Sequence, residues 1–279
     1  MDGVAAARPD APPLAVAGAR PYSAGGGADG VRASNFERAA AFYEAEYGVA
    51  DWDAAAARTT AALEGAAGWL AAPGRGARAG ALVLLAHNGP AGLGARASDP
   101  CGADFLEAGG DWGDPDTRDA LAAAAAAGAS PALVAFGHMH RSLRASTRPR
   151  TAATIDAATG TVHLNAAAWP RRVAVPGARV DGVTTARPAT SSHFLLVELD
   201  AGVATRADDV WVDVDAGTGG CRVRSVAGLL RTEPATDDPA TRDPDGRPLV
   251  VRSAYDGWAG EWAPPVASRA ARGWARSPG

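Results

Sequence analysis

Hydrophobic positions along the chain fall into two regimes. Up to about residue 144, short apolar runs alternate with segments of helical period; beyond it, the alternation is that of strands. Residues 14–23 read as a short strand running into a turn, followed by a flexible Gly25-Gly26-Gly27. Ser34-Asn35-Phe36-Glu37 forms a capping box, after which Phe36, Ala40, Tyr43 and Tyr47 share one helical face until Gly48 ends it. Asp51 caps a second helix with Trp52, Ala56, Thr59, Leu63 and Leu70 spaced for burial, and residues 73–76 stop it. Residues 81–86 are apolar on both faces, which predicts a strand covered on both sides and a layered α/β arrangement. That strand ends at His87-Asn88-Gly89-Pro90, where a long glycine-rich loop begins. Asp114 as N-cap and Pro115 at the first helical position start a third helix, carried by an alanine run to Gly128. A strand over 132–136 then delivers Gly137-His138-Met139-His140. His87, His138 and His140 thus all lie at strand carboxyl ends, the edge of an open α/β sheet where ligands bind.

The second regime predicts a hairpin from 151–156 and 161–164, then strands over 192–199 and 209–213. From about residue 216 the periodicity fades into a Pro-, Asp-, Arg- and Gly-rich stretch, which predicts a poorly ordered tail on which Trp258, Trp262 and Trp274 dock locally.

Composition narrows the function classes. The chain has no lysine or glutamine and a single isoleucine, Ile155, a coding bias that removes any special meaning from its all-arginine basic set. A net charge of −4 with acids and arginines interspersed leaves no basic stripe, so a nucleic-acid partner is not expected. Apolar runs stop far short of a membrane span, and Cys101 and Cys221 have neither zinc-knuckle nor disulfide-framework spacing. The expected setting is soluble, intracellular and reducing.

The chemistry rests on the histidines. At positions i and i+2, His138 and His140 reach one site only where the backbone is extended or turning. Neutral imidazole ligates zinc, iron and manganese, yet two ligands do not make a site. The alternative is that one histidine is exposed and the other caps a carbonyl.

Leu84-Leu85-Ala86-His87, Gly137-His138-Met139-His140 and Val162-His163-Leu164-Asn165 together resemble, in order and spacing, the C-terminal half of a calcineurin-like metallophosphoesterase. Residues 85–94, with Asp99-Pro100-Cys101-Gly102 and 110–116, are similar to a branch found in cyanobacteria and plastid-bearing organisms; a plastid location follows from that resemblance alone. Rival families fit worse, since a metallo-β-lactamase needs H-x-H-x-D-H and Arg141-Ser142 follow here, and an amidohydrolase barrel needs most of its units after the H-x-H. The resemblance covers roughly residues 14–213. It implies an α/β fold, the C-terminal portion of a four-layer α/β/β/α sandwich with its first strands missing. Residues 1–13 become a junction or mispredicted start, 14–215 a partial phosphoesterase domain, and 216–279 the tail. The implied activity is two-metal, water-activated hydrolysis of a small phosphoester, with Mn, Fe, Zn or Mg as the divalent ions. His87 and His138 would ligate one metal and His140 the other.

The sequence departs from that family in one respect. Its first histidine is His87, so the D-x-H and G-N-H-D motifs have no place upstream, and the G-D carboxylate that bridges the metals is missing with them. The expectation is a chain with impaired metal binding, inactive alone, whose Met1 falls inside the domain and whose sheet has an uncovered flank. The alternative is a degenerate, non-catalytic binding or structural module. Secondary or substrate-contacting roles fall to Asn88, Asn165, Asp111 and Arg141, with Arg144, Arg171 and Arg172 as further phosphate candidates. Asp114 is explained as a helix cap, with Asp116 beside it in the same acidic loop, and His163 and His193 as ordinary strand histidines.

Overall fold

The structure, a computed structural model, describes residues 4–6, 12–26, 33–72, 79–107, 109–168, 170–175, 179–180, 183–184, 189–215, 217–233, 239–244 and 249–268. The first sheet is built from β1 (Val4–Ala6), β2 (Leu14–Gly18), β3 (Ala81–Leu85), β4 (Leu133–Phe136), β5 (Ala153–Ile155) and β6 (Val162–Asn165) in the order β1-β2-β3-β4-β6-β5. Strands β2, β3, β4 and β6 are parallel, and β1 and β5 close the two flanks antiparallel. Helices α1 (Ala33–Tyr47), α2 (Trp52–Leu70) and α3 (Pro115–Ala126) supply the crossovers.

The alternation inside each parallel strand explains the layering. Ala15, Ala17, Leu82, Leu84, Val134 and Phe136 point to one face and pack on Leu63, Ala67 and Leu70 of α2 and Ala124 of α3. Val83, Leu133, Val162 and Leu164 point to the other face and meet a second sheet through Ala204, Ala207, Leu230 and Ala254. Both faces are therefore dry, as a parallel sheet requires. The strand predicted over 81–86 lies inside this sheet, with β2 and β4 on either side.

The second sheet begins with β7 (Arg172–Val175); β8 (Arg179–Val180) and β9 (Val183–Thr184) form a separate ribbon. Its long strands are β10 (Ala189–Asp200), β11 (Val203–Asp215) and β12 (Cys221–Thr232), followed by β13 (Val250–Asp256), β14 (Glu261–Trp262) and β15 (Val266–Ser268). The region expected to be a poorly ordered tail thus contributes four strands. What the periodicity concealed is Arg252, fully buried in β13, where it donates to the Ala204 carbonyl at 2.9 Å, the Gly160 carbonyl at 2.7 Å and Ser268 Oγ at 2.7 Å. A charged residue at a core position breaks the hydrophobic pattern while fastening four segments together. Trp262 docks, with the Arg231 guanidinium 4.2 Å from its ring centroid; Trp274 lies outside the described residues.

The molecule is a mixed α/β fold of three layers: helices, first sheet, second sheet. On the outer face of the second sheet Phe194, Val210 and Val226 stand in one cross-strand row, with Leu196 and Val223 beside them, and among the described residues no helix covers it. Among the described residues no helix is long and apolar enough to cross a membrane. Asp51 caps α2 as expected, accepting from the Ala54 amide at 2.8 Å, whereas the Ser34 side chain of the expected capping box lies outside the described residues.

His163 is buried in the middle of β6, and burial lowers its pKa to about 4. Between this value and the ordinary 6.5 the unfolded chain takes up a proton that the folded chain refuses, so the His163 contribution to stability is lost as pH falls through that window. Going from pH 7 to pH 5 should cost about 2 kcal/mol through this group. Urea melts at the two pH values check it: His163→Leu is expected to lose less stability between them than the native chain, by about 2 kcal/mol, and equal acid sensitivity in both proteins would contradict it.

Candidate functional site

Three adjacent parallel strands, β3, β4 and β6, end on the same edge of the first sheet, and their C-terminal loops form an open cleft of about 430 Å³. It is lined by His87, His138, His140 and Arg171, and otherwise by small and apolar residues such as Ala135, Gly137 and Ala166. A larger cleft of about 720 Å³ between β2, α1 and α2 is mainly apolar and carries none of the histidines.

His87 follows β3 directly, and His138 follows β4 after one glycine. Their rings meet, His87 Nε2 lying 3.0 Å from His138 Nδ1. That contact is made by a tight turn: the Met139 amide donates to the Gly137 carbonyl at 2.8 Å, closing a γ-turn in which His138 takes φ +66°. A side chain in this region is strained by about 1–3 kcal/mol and is held there by surrounding contacts. Those contacts are visible. The Gly137 amide donates to the His87 carbonyl, Asn165 Nδ2 donates to the Met139 carbonyl at 2.8 Å, and Arg150 Nε donates to the His140 carbonyl at 3.0 Å. With the imidazole removed in both variants, His138→Gly should be about 1 kcal/mol more stable than His138→Ala, the reverse of the usual order. Thermal or urea melts decide it, and a more stable alanine variant would rule out the strain.

Both imidazoles are neutral at pH 7. Burial, helped by the neighbouring His87 and His140, lowers the His138 pKa to about 4, and burial with the Arg20 charge lowers that of His87. Neutral imidazole is the metal-binding form. The contact is a hydrogen bond in which one nitrogen donates and the other accepts, according to tautomer. An ion held by both nitrogens would replace that hydrogen bond; at about 2.1 Å from one ion and at a right angle, two nitrogens stand about 3.0 Å apart. His140 sits at the exposed rim of the cleft, and among the described residues no group of three or more His, Cys, Asp or Glu side chains is gathered around one point. A catalytic zinc-type site needs three protein ligands. Among the described residues the donors brought together here are two imidazoles, which do not fit a two-metal centre.

The carboxylates that come nearest are already engaged. Arg20, at the end of β2, is buried and clamps Asp116 through Nε and Nη2, both at 2.9 Å, while Nη2 lies 3.2 Å from Asp114. The rings of Phe36, Tyr43 and Trp52 surround its guanidinium, with centroids at 4.9–5.3 Å. Asp114 makes no side-chain capping bond to α3, contrary to the expectation of a helix cap; it accepts from Ser23 Oγ at 2.5 Å and Asn88 Nδ2 at 3.2 Å. Burial, with Asp116 beside it and Arg20 offsetting only in part, pushes the Asp114 carboxyl up to about 7.

The secondary candidates divide by what they touch. Asn88 is buried behind His87 and donates to the Trp112 carbonyl at 2.7 Å, tying the acidic loop to the strand end. Asp111 accepts from the Gly92 and Gly113 amides and orders its own loop. Asn165 donates to the Met139 and Pro100 carbonyls and accepts from the Ala167 amide, holding the loop under the site. Arg141 turns away from the cleft to Asp209 of β11, at 2.5 Å, and Asp209 is also 2.5 Å from His193 Nε2. Neither Arg20 nor Arg150 was legible as a site residue. Arg150 is buried and donates to the Ala97, Asp99 and Gly102 carbonyls as well as to His140, fixing the loop opposite the histidine turn.

No model of a known family and no curated protein matches this chain.

Proposed function

We propose that the chain is a metallophosphoesterase-type domain, of the calcineurin-like kind, that holds one divalent ion between His87 and His138. On this reading it lacks the remainder of a two-metal centre and does not hydrolyse phosphoesters unaided. The observation that carries the reading is the 3.0 Å approach of two neutral imidazoles at the carboxyl ends of neighbouring parallel strands. A divalent ion at this position would polarise a phosphoryl oxygen. The protein's own part is to bring the His87 and His138 rings together, the latter from a strained turn, and to leave the cleft open to a ligand; an ion would take the place of the hydrogen bond between the two nitrogens. The three layers are read as part of a four-layer α/β/β/α sandwich, the apolar outer face of the second sheet being the place of the fourth.

The non-catalytic alternative draws on one specific observation: Asp114 and Asp116, the acids nearest the strand ends, are consumed by Arg20. Both readings share the ion site and differ from an intact enzyme. Equilibrium dialysis against Mn²⁺ or Zn²⁺ with elemental analysis, run beside an aryl phosphate assay, is expected to give one ion per chain and no turnover. Two tightly held ions with turnover sensitive to His140→Ala would overturn it.

A further inference from the structure

The cleft that holds the two imidazoles also has a cationic wall, and the four arginines that the sequence offers as phosphate contacts have different fates. Arg141 is paired with Asp209 at 2.5 Å, and its charge is spent there. Arg144 packs over Phe105, its guanidinium 5.7 Å from the ring centroid, while its amide donates to Asp104. Arg172 is the first residue of β7, is paired with Ser192 in the second sheet and is not among the residues lining the cleft. Arg171 alone of the four lines the cleft with His87, His138 and His140. Its backbone is anchored, since its carbonyl accepts from the His193 amide at 2.9 Å, and its side chain is exposed to solvent.

We infer that Arg171 is the oxyanion-contacting residue of this site and that the group it receives is a phosphoryl group. The inference rests on the phosphoesterase reading above for the choice of phosphate among oxyanions. Its physical basis is separate. An arginine fork matches two oxygens of a tetrahedral anion, and an exposed guanidinium on the wall of a cleft with no carboxylate among its lining residues has no competing intramolecular anion there. The other polar side chains lining the cleft are those of His87, His138 and His140, which can donate a hydrogen bond to an anion. Ala166, Ala167 and Ala168, which line the same cleft, are small and take up little of its space.

Inorganic phosphate is the probe. Isothermal titration would be run on the full chain, metal-free and then with Mg²⁺, for the native sequence and for Arg171→Gln, Arg171→Lys and Arg172→Gln. The expected result is a loss of about tenfold or more in phosphate affinity for Arg171→Gln, partial retention in Arg171→Lys and no change in Arg172→Gln. Thermal melts should be unchanged, because the side chain is solvent-exposed. Phosphate affinity equal in Arg171→Gln and the native chain, or absent from the native chain in both conditions, would overturn the inference. Arg171-dependent phosphate binding in a chain that takes up no divalent ion would leave the inference standing and remove the metal-site reading instead.

Discussion

Replacing Arg20 by methionine is expected to destabilise the protein by about 3–5 kcal/mol, the largest effect of any single substitution considered. Methionine fills much of the same volume and keeps contact with the rings of Phe36, Tyr43 and Trp52, so lost packing is not the main effect. The penalty arises because two carboxylates, Asp114 and Asp116, are both buried and lose the one guanidinium that offsets their burial. Two signatures separate this cause from a packing defect. The deficit should shrink at pH 5, because the Asp114 carboxyl, which burial already pushes up to about 7 beside Arg20, is protonated and neutral there once Arg20 is gone. The triple variant Arg20→Met, Asp114→Asn, Asp116→Asn should also be more stable than Arg20→Met alone, because removing a whole buried ionic cluster is milder than removing one partner. Urea melts of the three proteins at pH 7 and pH 5 measure both. A deficit below about 1 kcal/mol, or one independent of pH, would show that the cluster is not held by its charge.

The same cluster shows where sequence reasoning reached and where it stopped. Strands 14–18, 81–85 and 133–136 and helices α2 and α3 are legible because one physical demand, burial of apolar faces, sets their period. The histidines at strand ends are legible because a strand that ends in His after an apolar run has few other uses for it. Arg20, Arg150 and Arg252 are opaque for the opposite reason. Each is a charged residue in the interior, so it reads as surface in any polarity pattern, and its worth depends on carbonyls and carboxylates that come from distant parts of the chain. Arg252 in particular turns a stretch with the composition of a disordered tail into a wall of the second sheet. Asp114 shows the limit of a local rule: its position before Pro115 fits a helix cap, while its side chain is drawn inward by Arg20, Ser23 and Asn88. His140 shows another, since the H-x-H spacing places two imidazoles near each other but the γ-turn at His138 sends one to His87 and leaves the other at the rim.

The second large effect concerns the ion site. Removing either His87 or His138 leaves one imidazole of the pair, with His140 out at the rim, and so little to hold a divalent ion against water. Binding should therefore fall by at least about 100-fold in His87→Ala and in His138→Ala, beyond the range seen when only a ligand's hydrogen-bonding partner is lost. His140→Ala, at the rim, should change it by no more than about threefold. Acid should weaken binding only below the ordinary imidazole range, because the His138 pKa lies near 4 and that of His87 is also lowered. The measurement that tests the account most directly is Zn²⁺ titration of the native chain and of His87→Ala, followed by calorimetry. The account predicts one ion per chain in the native protein and its loss in the variant; no ion in the native protein, or an ion that His87→Ala leaves in place, would contradict it.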